Sequence, residues 1–339
     1  MENNPTLSDK AQALYDDKRF PKAWQAVFTS ALMYIPVYAV VFILALFFGN
    51  YNELFASEFG SNMFNTLISQ FFAVLIPAVS CVLIFKKEPK GTFRLKKGID
   101  PVQILLIVLI SVGIFYMVQI VNNVFIESAS MYLGPPTEHS GVDSATNISQ
   151  LLFEIVLVAG LPAIFEELFF RGVVLRAYER RSPVTAVIMS SLIFAIMHGN
   201  LQQLVYAFLL GIILGTVTIL TDSLLASMLM HFTLNGISII ISYTPVQEQV
   251  LAFGESHYGI FLLLVLLVLP VLAGLSIFLF VKYTRNKNKR LYGSCFTSEM
   301  KFQKLMPKEQ GHEIALNIVG WVFFILINLY MMYISWYSI

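Results

Sequence analysis

One hexapeptide, Glu166-Glu167-Leu168-Phe169-Phe170-Arg171, sets two carboxylates and a guanidinium inside an apolar run. On a helix, Glu167 and Arg171 stand four residues apart on one face and can pair. Glu166 is turned by about 100° from Glu167 and so faces elsewhere, without a partner on its own helix. The spacing separates two roles. Arg171 can hold Glu167 ionised as a strut, while Glu166 stays available to take a proton, as a general base must. A buried ion pair that only fixes helix packing, with Glu166 lining it, also explains the hexapeptide.

Two histidines add weight to the chemical reading. His198 closes the run Phe194-Ala195-Ile196-Met197-His198, and His231 opens His231-Phe232-Thr233-Leu234-Asn235. His231 and Asn235 share one helix face at i,i+4. Glu166 lies ten residues before Arg176 and His231 nine after Asp222, about 15 and 13 Å by helical rise, which puts them at similar depth. His198 lies fifteen residues after Pro183, about 22 Å, too high unless its helix tilts or starts low. The other histidines, His139, His257 and His312, fall in connections.

Glu, two His and Asn converging in a cavity suit hydrolysis. Glu166 would take a proton from water, and Asn235 and a histidine would donate hydrogen bonds to the oxyanion at a scissile carbonyl. Alternatively, Glu166, His198 and His231 supply the two histidines and one carboxylate that can hold a catalytic divalent metal such as zinc. The His-Glu-x-x-His signature is absent, since His312-Glu313 has no second histidine after it. Ser and Thr stand in no nucleophile motif. Cys81 and Cys295 are isolated, which excludes a disulfide framework and a thiolate metal site.

These residues must be positioned by membrane helices. Of 339 residues, 57% are hydrophobic and only 13% charged, which excludes a disordered chain, a basic nucleic-acid-binding protein and an ordinary soluble enzyme. Mean hydropathy is +0.72. A span needs about 20 apolar residues. The chain offers Trp24–Phe48, Phe64–Phe85, Val102–Ile126, Leu151–Leu175, Val184–Met197 (short), Leu204–Leu220, Leu224–Tyr243, Tyr258–Tyr283 and Ile314–Ser338. The expected fold is all-α, a polytopic integral membrane helix bundle of about nine transmembrane segments. Lys282 at the edge of the eighth segment aside, formal charges occur only in the fourth, as Glu154, Glu166, Glu167 and Arg171. Charges at membrane depth are costly and mark functional candidates. Glu154 lies near the outer end, where it is expected to reach water.

All 22 Lys and Arg fall in the N-terminal tail, the connections after segments two and eight, or around the end of segment four. The alternate connections, Asn50–Met63, Glu127–Gln150, Gly199–Gln203 and Thr244–His257, hold none. The positive-inside rule then gives a multi-pass protein with a cytoplasmic N-terminus and an outside C-terminus. The uncleaved first segment acts as an anchor after a polar stretch. The long Glu127–Gln150 connection is expected as a surface loop, with a lid as the alternative; its Asn147-Ile148-Ser149 fits a glycosylation sequon. Four regions follow: a tail at 1–23, segments one to three at 24–149, a core at 150–245, and segments eight and nine with a basic cytoplasmic connection at 246–339. That connection either only fixes topology or also docks to anionic lipid.

Glu-Glu-x-x-x-Arg (Glu166, Glu167, Arg171), Phe-x-x-x-His (Phe194, His198) and His-x-x-x-Asn (His231, Asn235), in that order in membrane helices, resemble the CPBP intramembrane protease family. That family includes type II CAAX prenyl endopeptidases and bacterial relatives linked to bacteriocin processing and self-immunity. The resemblance covers roughly residues 150–245. It implies a membrane endopeptidase in which Glu166 activates water with His198, His231 and Asn235 stabilise the oxyanion, and Glu167 and Arg171 support the site. It implies a membrane-anchored or prenylated substrate, a lipid-bilayer setting, in the cell membrane if the source is bacterial, and no nucleic acid. It leaves open whether a metal takes part. Two rival readings keep part of this picture: a non-catalytic scaffold or self-immunity protein of the same fold, and a proton-coupled transporter using Glu166 as relay. A transporter should show repeat symmetry, and none is visible in the sequence.

Overall fold

The computed structural model describes residues 20–49, 55, 57–95, 97–136, 145–179, 181–292 and 311–337. Among the described residues there is helix and no strand. Besides a single turn at Pro89–Thr92, the helices in chain order are α1 (Ala23–Phe48), α2 (Glu58–Ile84), α3 (Pro101–Leu133), α4 (Ile148–Glu179), α5 (Pro183–Met197), α6 (Leu201–Thr221), α7 (Leu224–Tyr243), α8 (Val246–Ser256), α9 (Tyr258–Leu291) and α10 (His312–Tyr337). Eight of these are long and apolar enough to cross a membrane, and α5 is a shorter apolar helix. Each expected apolar segment corresponds to one of these nine; α8 is the addition.

The starts follow from capping. Asp100 accepts from the Gln103 N–H at 3.0 Å ahead of Pro101. Ser182 accepts from the Thr185 N–H at 2.9 Å ahead of Pro183. Asn147 accepts from the Gln150 N–H at 3.0 Å and opens α4. Side-chain acceptors here satisfy donors that the first turn leaves orphaned. α3 runs past Ile126 to Leu133 and stops at Gly134, whose φ of 80° suits glycine. Half of the expected Glu127–Gln150 loop is therefore helix or cap, and the stretch 137–144 lies outside the described residues, as do His139 and Cys295. The Thr244–His257 connection, expected only as a link without Lys or Arg, is largely α8. Cys81 is buried within α2.

Two apolar clusters make up the core. One joins α1, α2, α4 and α5 with Ala207 and Ile219 of α6, Leu224 of α7 and Phe324 of α10; the other joins α3, α6, α7 and α9. Close approach depends on small residues, as in other membrane bundles. A Cβ on Gly211 of α6 would lie 2.8 Å from the Ser191 backbone of α5. One on Gly113 of α3 would lie 3.1 Å from the Ala273 backbone of α9.

Three helices contain four π-helical stretches: Ser69–Leu75 in α2, Ile155–Gly160 and Leu168–Val174 in α4, and Leu264–Val268 in α9. Three of them end just before a proline, at Pro77, Pro162 and Pro270 respectively. Proline lacks the N–H and crowds the carbonyl four residues back, and a widened turn relieves both problems. The stretch Leu168–Val174 has no such proline. It carries Arg171, within the charged hexapeptide.

A charged girdle closes one end of the bundle. Arg94 is 3% exposed and pairs with Glu179 at the end of α4 and with Asp222 at the α6–α7 turn. Lys97 also reaches Asp222, at 2.9 Å. Arg94 and Asp222 both adopt left-handed backbone, with φ of 48° and 51°; each such conformation costs roughly 1–2 kcal/mol for a non-glycine residue. The ion pair thus offsets local strain and ties the connection before α3 to α4 and to the α6–α7 turn. In the sequence Arg94 is one of several cations in the connection after segment two; burial gives it a structural role. At the same end Lys287 of α9 holds Asp100, at 2.6 Å. Desolvation, the largest single effect, pushes the Asp100 carboxyl up, but Lys287 and the Gln103 N–H, with Tyr283, together outweigh it and hold the carboxyl below its ordinary range.

Arg94→Ala removes the buried partner of two carboxylates, leaving Asp222 to Lys97 and Glu179 to Arg176, and is expected to destabilise the protein by about 3 kcal/mol, near the lower end for breaking a buried pair; thermal unfolding in detergent measures this. The Asp100 contribution is present above the ordinary carboxylate range and is lost as pH falls through the lowered folded value. Asp100→Asn should therefore flatten the fall of stability on acidification, read as unfolding temperature against pH.

Candidate active site

The three sequence motifs meet on α4, α5 and α7. Glu167 and Arg171 are both wholly buried, with Arg171 Nε 3.3 Å from Glu167 Oε2. On the other carboxylate oxygen, Glu167 Oε1 accepts from His231 Nδ1 at 3.0 Å. A carboxylate only accepts, so Nδ1 carries the proton and Nε2 is the ring's remaining polar atom. That Nε2 lies 3.9 Å from Glu166 Oε2.

The Arg171 nitrogens find no hydrogen-bond partner among the described residues. Aromatic faces compensate. The guanidinium carbon sits 4.6 Å from the centroid of Phe194 and 5.8 Å from that of Phe170. A desolvated cation over a ring is attracted by about 2 kcal/mol. Phe194 also meets His198 and His231 edge to face, at 4.8 and 6.0 Å between centroids. The phenylalanine of Phe-x-x-x-His is therefore a platform joining the cation to both imidazoles, a role its sequence position did not disclose.

His198 Nδ1 lies 2.7 Å from the Phe194 carbonyl, four residues back. The carbonyl fixes the proton on Nδ1 and leaves Nε2 as the other polar atom. The expected height mismatch of His198 is small in the structure. Ser190 of α5 donates to the Phe170 carbonyl at 2.9 Å, which sets α5 low against α4. By helical rise from that contact, His198 stands only about 6 Å beyond Glu166.

One expectation is extended here and one corrected. Glu166 has no partner on its own helix, yet Gln70 of α2 donates to Glu166 Oε1 at 2.8 Å. Gln70 is buried, and its own Oε1 has no partner among the described residues. Nothing in the sequence singled it out, although a glutamine amid the apolar run of a span was a visible signal. Glu154, expected to reach bulk water, is only 6% exposed and accepts from the Ala145 N–H at 3.3 Å.

Asn235 has a structural duty as well. Pro162 has no N–H to offer the Val158 carbonyl four residues before it, and Asn235 Nδ2 donates to that carbonyl at 3.0 Å. This ties α7 to the widened turn of α4 and leaves one amide N–H of Asn235 for another acceptor.

These groups surround a cavity of about 500 Å³ whose wall includes Gln70, Glu166, His198, His231 and Asn235. Glu167 and Arg171 lie behind the wall rather than on it. Among the described residues no group of three or more His, Cys, Asp or Glu converges as a metal-binding set. Glu166, His198 and His231 share the cavity but do not fit a metal in this arrangement. The arrangement provides a carboxylate held by one hydrogen bond, two imidazoles with fixed tautomers, and one spare amide donor.

Residues 148–237 match the family model described as type II CAAX prenyl endopeptidase Rce1-like. The matched stretch contains all three motifs. No curated protein and no solved structure matches the chain.

Arg171→Met leaves Glu167 charged and buried beside apolar groups, with an expected loss of about 3–5 kcal/mol. Adding Glu167→Gln to that variant should recover most of the loss. Chemical unfolding in detergent micelles measures both; equal instability of the single and double variants would contradict the strut role.

Proposed function

We propose that this chain is an intramembrane endopeptidase in which Glu166 is the general base and the substrate is a membrane-anchored polypeptide. The observation that carries the reading is the position of Glu166: on a polar cavity within the bundle, hydrogen-bonded by Gln70 and 3.9 Å from His231. The family match over residues 148–237 supports the reaction class.

Glu166 takes a proton from a water that also hydrogen-bonds His198 Nε2. The resulting hydroxide oxygen bonds to the scissile carbonyl carbon. The carbonyl oxygen becomes an oxyanion and accepts from the spare Asn235 N–H and, when its ring is doubly protonated, from His231 Nε2. Glu167 supports that protonated ring through Nδ1. As the C–N bond breaks, the proton on Glu166 passes to the departing amine, so Glu166 ends ionised again. No step runs through a metal, because the candidate ligands do not converge on one. Within this reading the catalytic region is 150–245, and the outer helices shape access and anchoring.

Glu166→Gln keeps the side-chain shape and removes the base. In detergent-solubilised protein offered membrane-anchored peptides, cleavage should fall by about 10²–10⁴-fold, the usual worth of a general base. Unfolding temperature should be nearly unchanged, and a zinc chelator should leave the wild-type rate intact. Equal cleavage by Glu166→Gln and wild type would remove Glu166 from the mechanism.

A further inference from the structure

The cavity has a direction. The helices that contribute to its wall do so mainly with residues toward one end of the bundle. α4 gives Glu154, Val158, Pro162 and Glu166, a strict every-fourth-residue stripe. α7 gives His231, Asn235, Ser238 and Ser242, all from His231 outward. On the girdle side of Glu166 and His231, neither helix contributes to the wall. From Glu166 to Glu154 is twelve residues, about 18 Å of helical rise. The cavity is thus a shaft whose floor is Glu166 and whose upper wall approaches the end of the bundle opposite Arg94, Lys97 and Lys287.

That opposite end has its own chemistry. Its connections hold no Lys or Arg, and their formal charges are Asp and Glu. Glu58, Glu127 and Glu255 there are exposed. A second cavity, of about 770 Å³, lies alongside and shares Gln119, Ser238 and Ser242 with the shaft. Its wall is mostly apolar, with Phe115 of α3, Phe253 of α8 and Phe261 of α9. α8, which the sequence does not foretell, lines one side of this chamber.

We propose that the shaft receives its substrate from the Lys/Arg-free, outer face of the membrane, and that the substrate is a polypeptide segment joining an apolar stretch to basic residues. This rests on the hydrolase reading of the same site. The positive-inside rule places the girdle end in the cytoplasm, so the mouth faces outward. The apolar stretch lodges in the side chamber, where burial of apolar surface favours it. The basic residues meet the acidic rim, which raises their local concentration and disfavours acidic competitors. A lipid-modified tail presented from the cytoplasm would meet the girdle instead of the mouth.

Single-cysteine variants test the direction. In a Cys81→Ser, Cys295→Ser background, Ser238→Cys reports the shaft wall and Lys289→Cys the girdle end. A membrane-impermeant maleimide is applied to intact cells or spheroplasts and to inverted vesicles. Ser238→Cys should react from the side opposite to Lys289→Cys. A ten-residue peptide pairing a Leu-rich half with a Lys-rich half should slow Ser238→Cys labelling about tenfold more than its Glu-rich counterpart at low salt, with the difference lost at high salt. Labelling of both variants from the same side, or equal protection by the two peptides, would overturn the proposal. Cleavage loss in Glu166→Gln is scored separately, so outward access can fail while the hydrolase reading stands, and the reverse.

Discussion

Burying an arginine–glutamate pair inside a membrane bundle is the constraint around which this structure is arranged. Glu167 and Arg171 have no exposure to solvent, and one ion pair at 3.3 Å does not satisfy either of them. Desolvating both charges costs several kcal/mol per ion unless neighbours compensate. Three helices supply the compensation. α5 brings Phe194 over the guanidinium, α7 brings His231 to the carboxylate, and α4 itself adds Phe170. The imidazole that partners the strut is therefore oriented by it, with Nε2 toward the neighbouring Glu166. Charge burial behind the wall positions the chemistry on the wall.

The irregular helices follow the same logic. A straight α4 would offer Val158 an amide from residue 162, but that residue is proline. The helix widens over Ile155–Gly160, and Asn235 donates to the Val158 carbonyl. A second widened stretch, Leu168–Val174, has no proline to explain it and carries the buried Arg171. Single widened turns recur at functional sites because they re-aim side chains without ending the helix. α2 uses the same device over Ser69–Leu75, where Gln70 reaches Glu166. The site is thus built where helix periodicity departs from its usual value.

Much of this was legible in the sequence. The apolar runs located nine helices because a bilayer demands length and tolerates few charges. The Glu167–Arg171 pair and the separate facing of Glu166 followed from helical geometry. What stayed hidden depended on other helices or on broken periodicity. Gln70 lies 96 residues from Glu166, and nothing local marks their meeting. Arg94 looked like one cation among many in a basic connection; only the fold shows it buried between Glu179 and Asp222. α8 is too short and too polar for a span search to find. Glu154 was read by its distance from the helix end, which ignores what covers it.

The central claim is that a proton moves from water to Glu166 as the peptide bond is attacked. The solvent deuterium isotope effect on single-turnover cleavage addresses this most directly, because single turnover isolates chemistry from product release. The account predicts slower cleavage in deuterium oxide for wild type and no such slowing in the residual activity of Glu166→Gln. The same isotope effect in both proteins would contradict it.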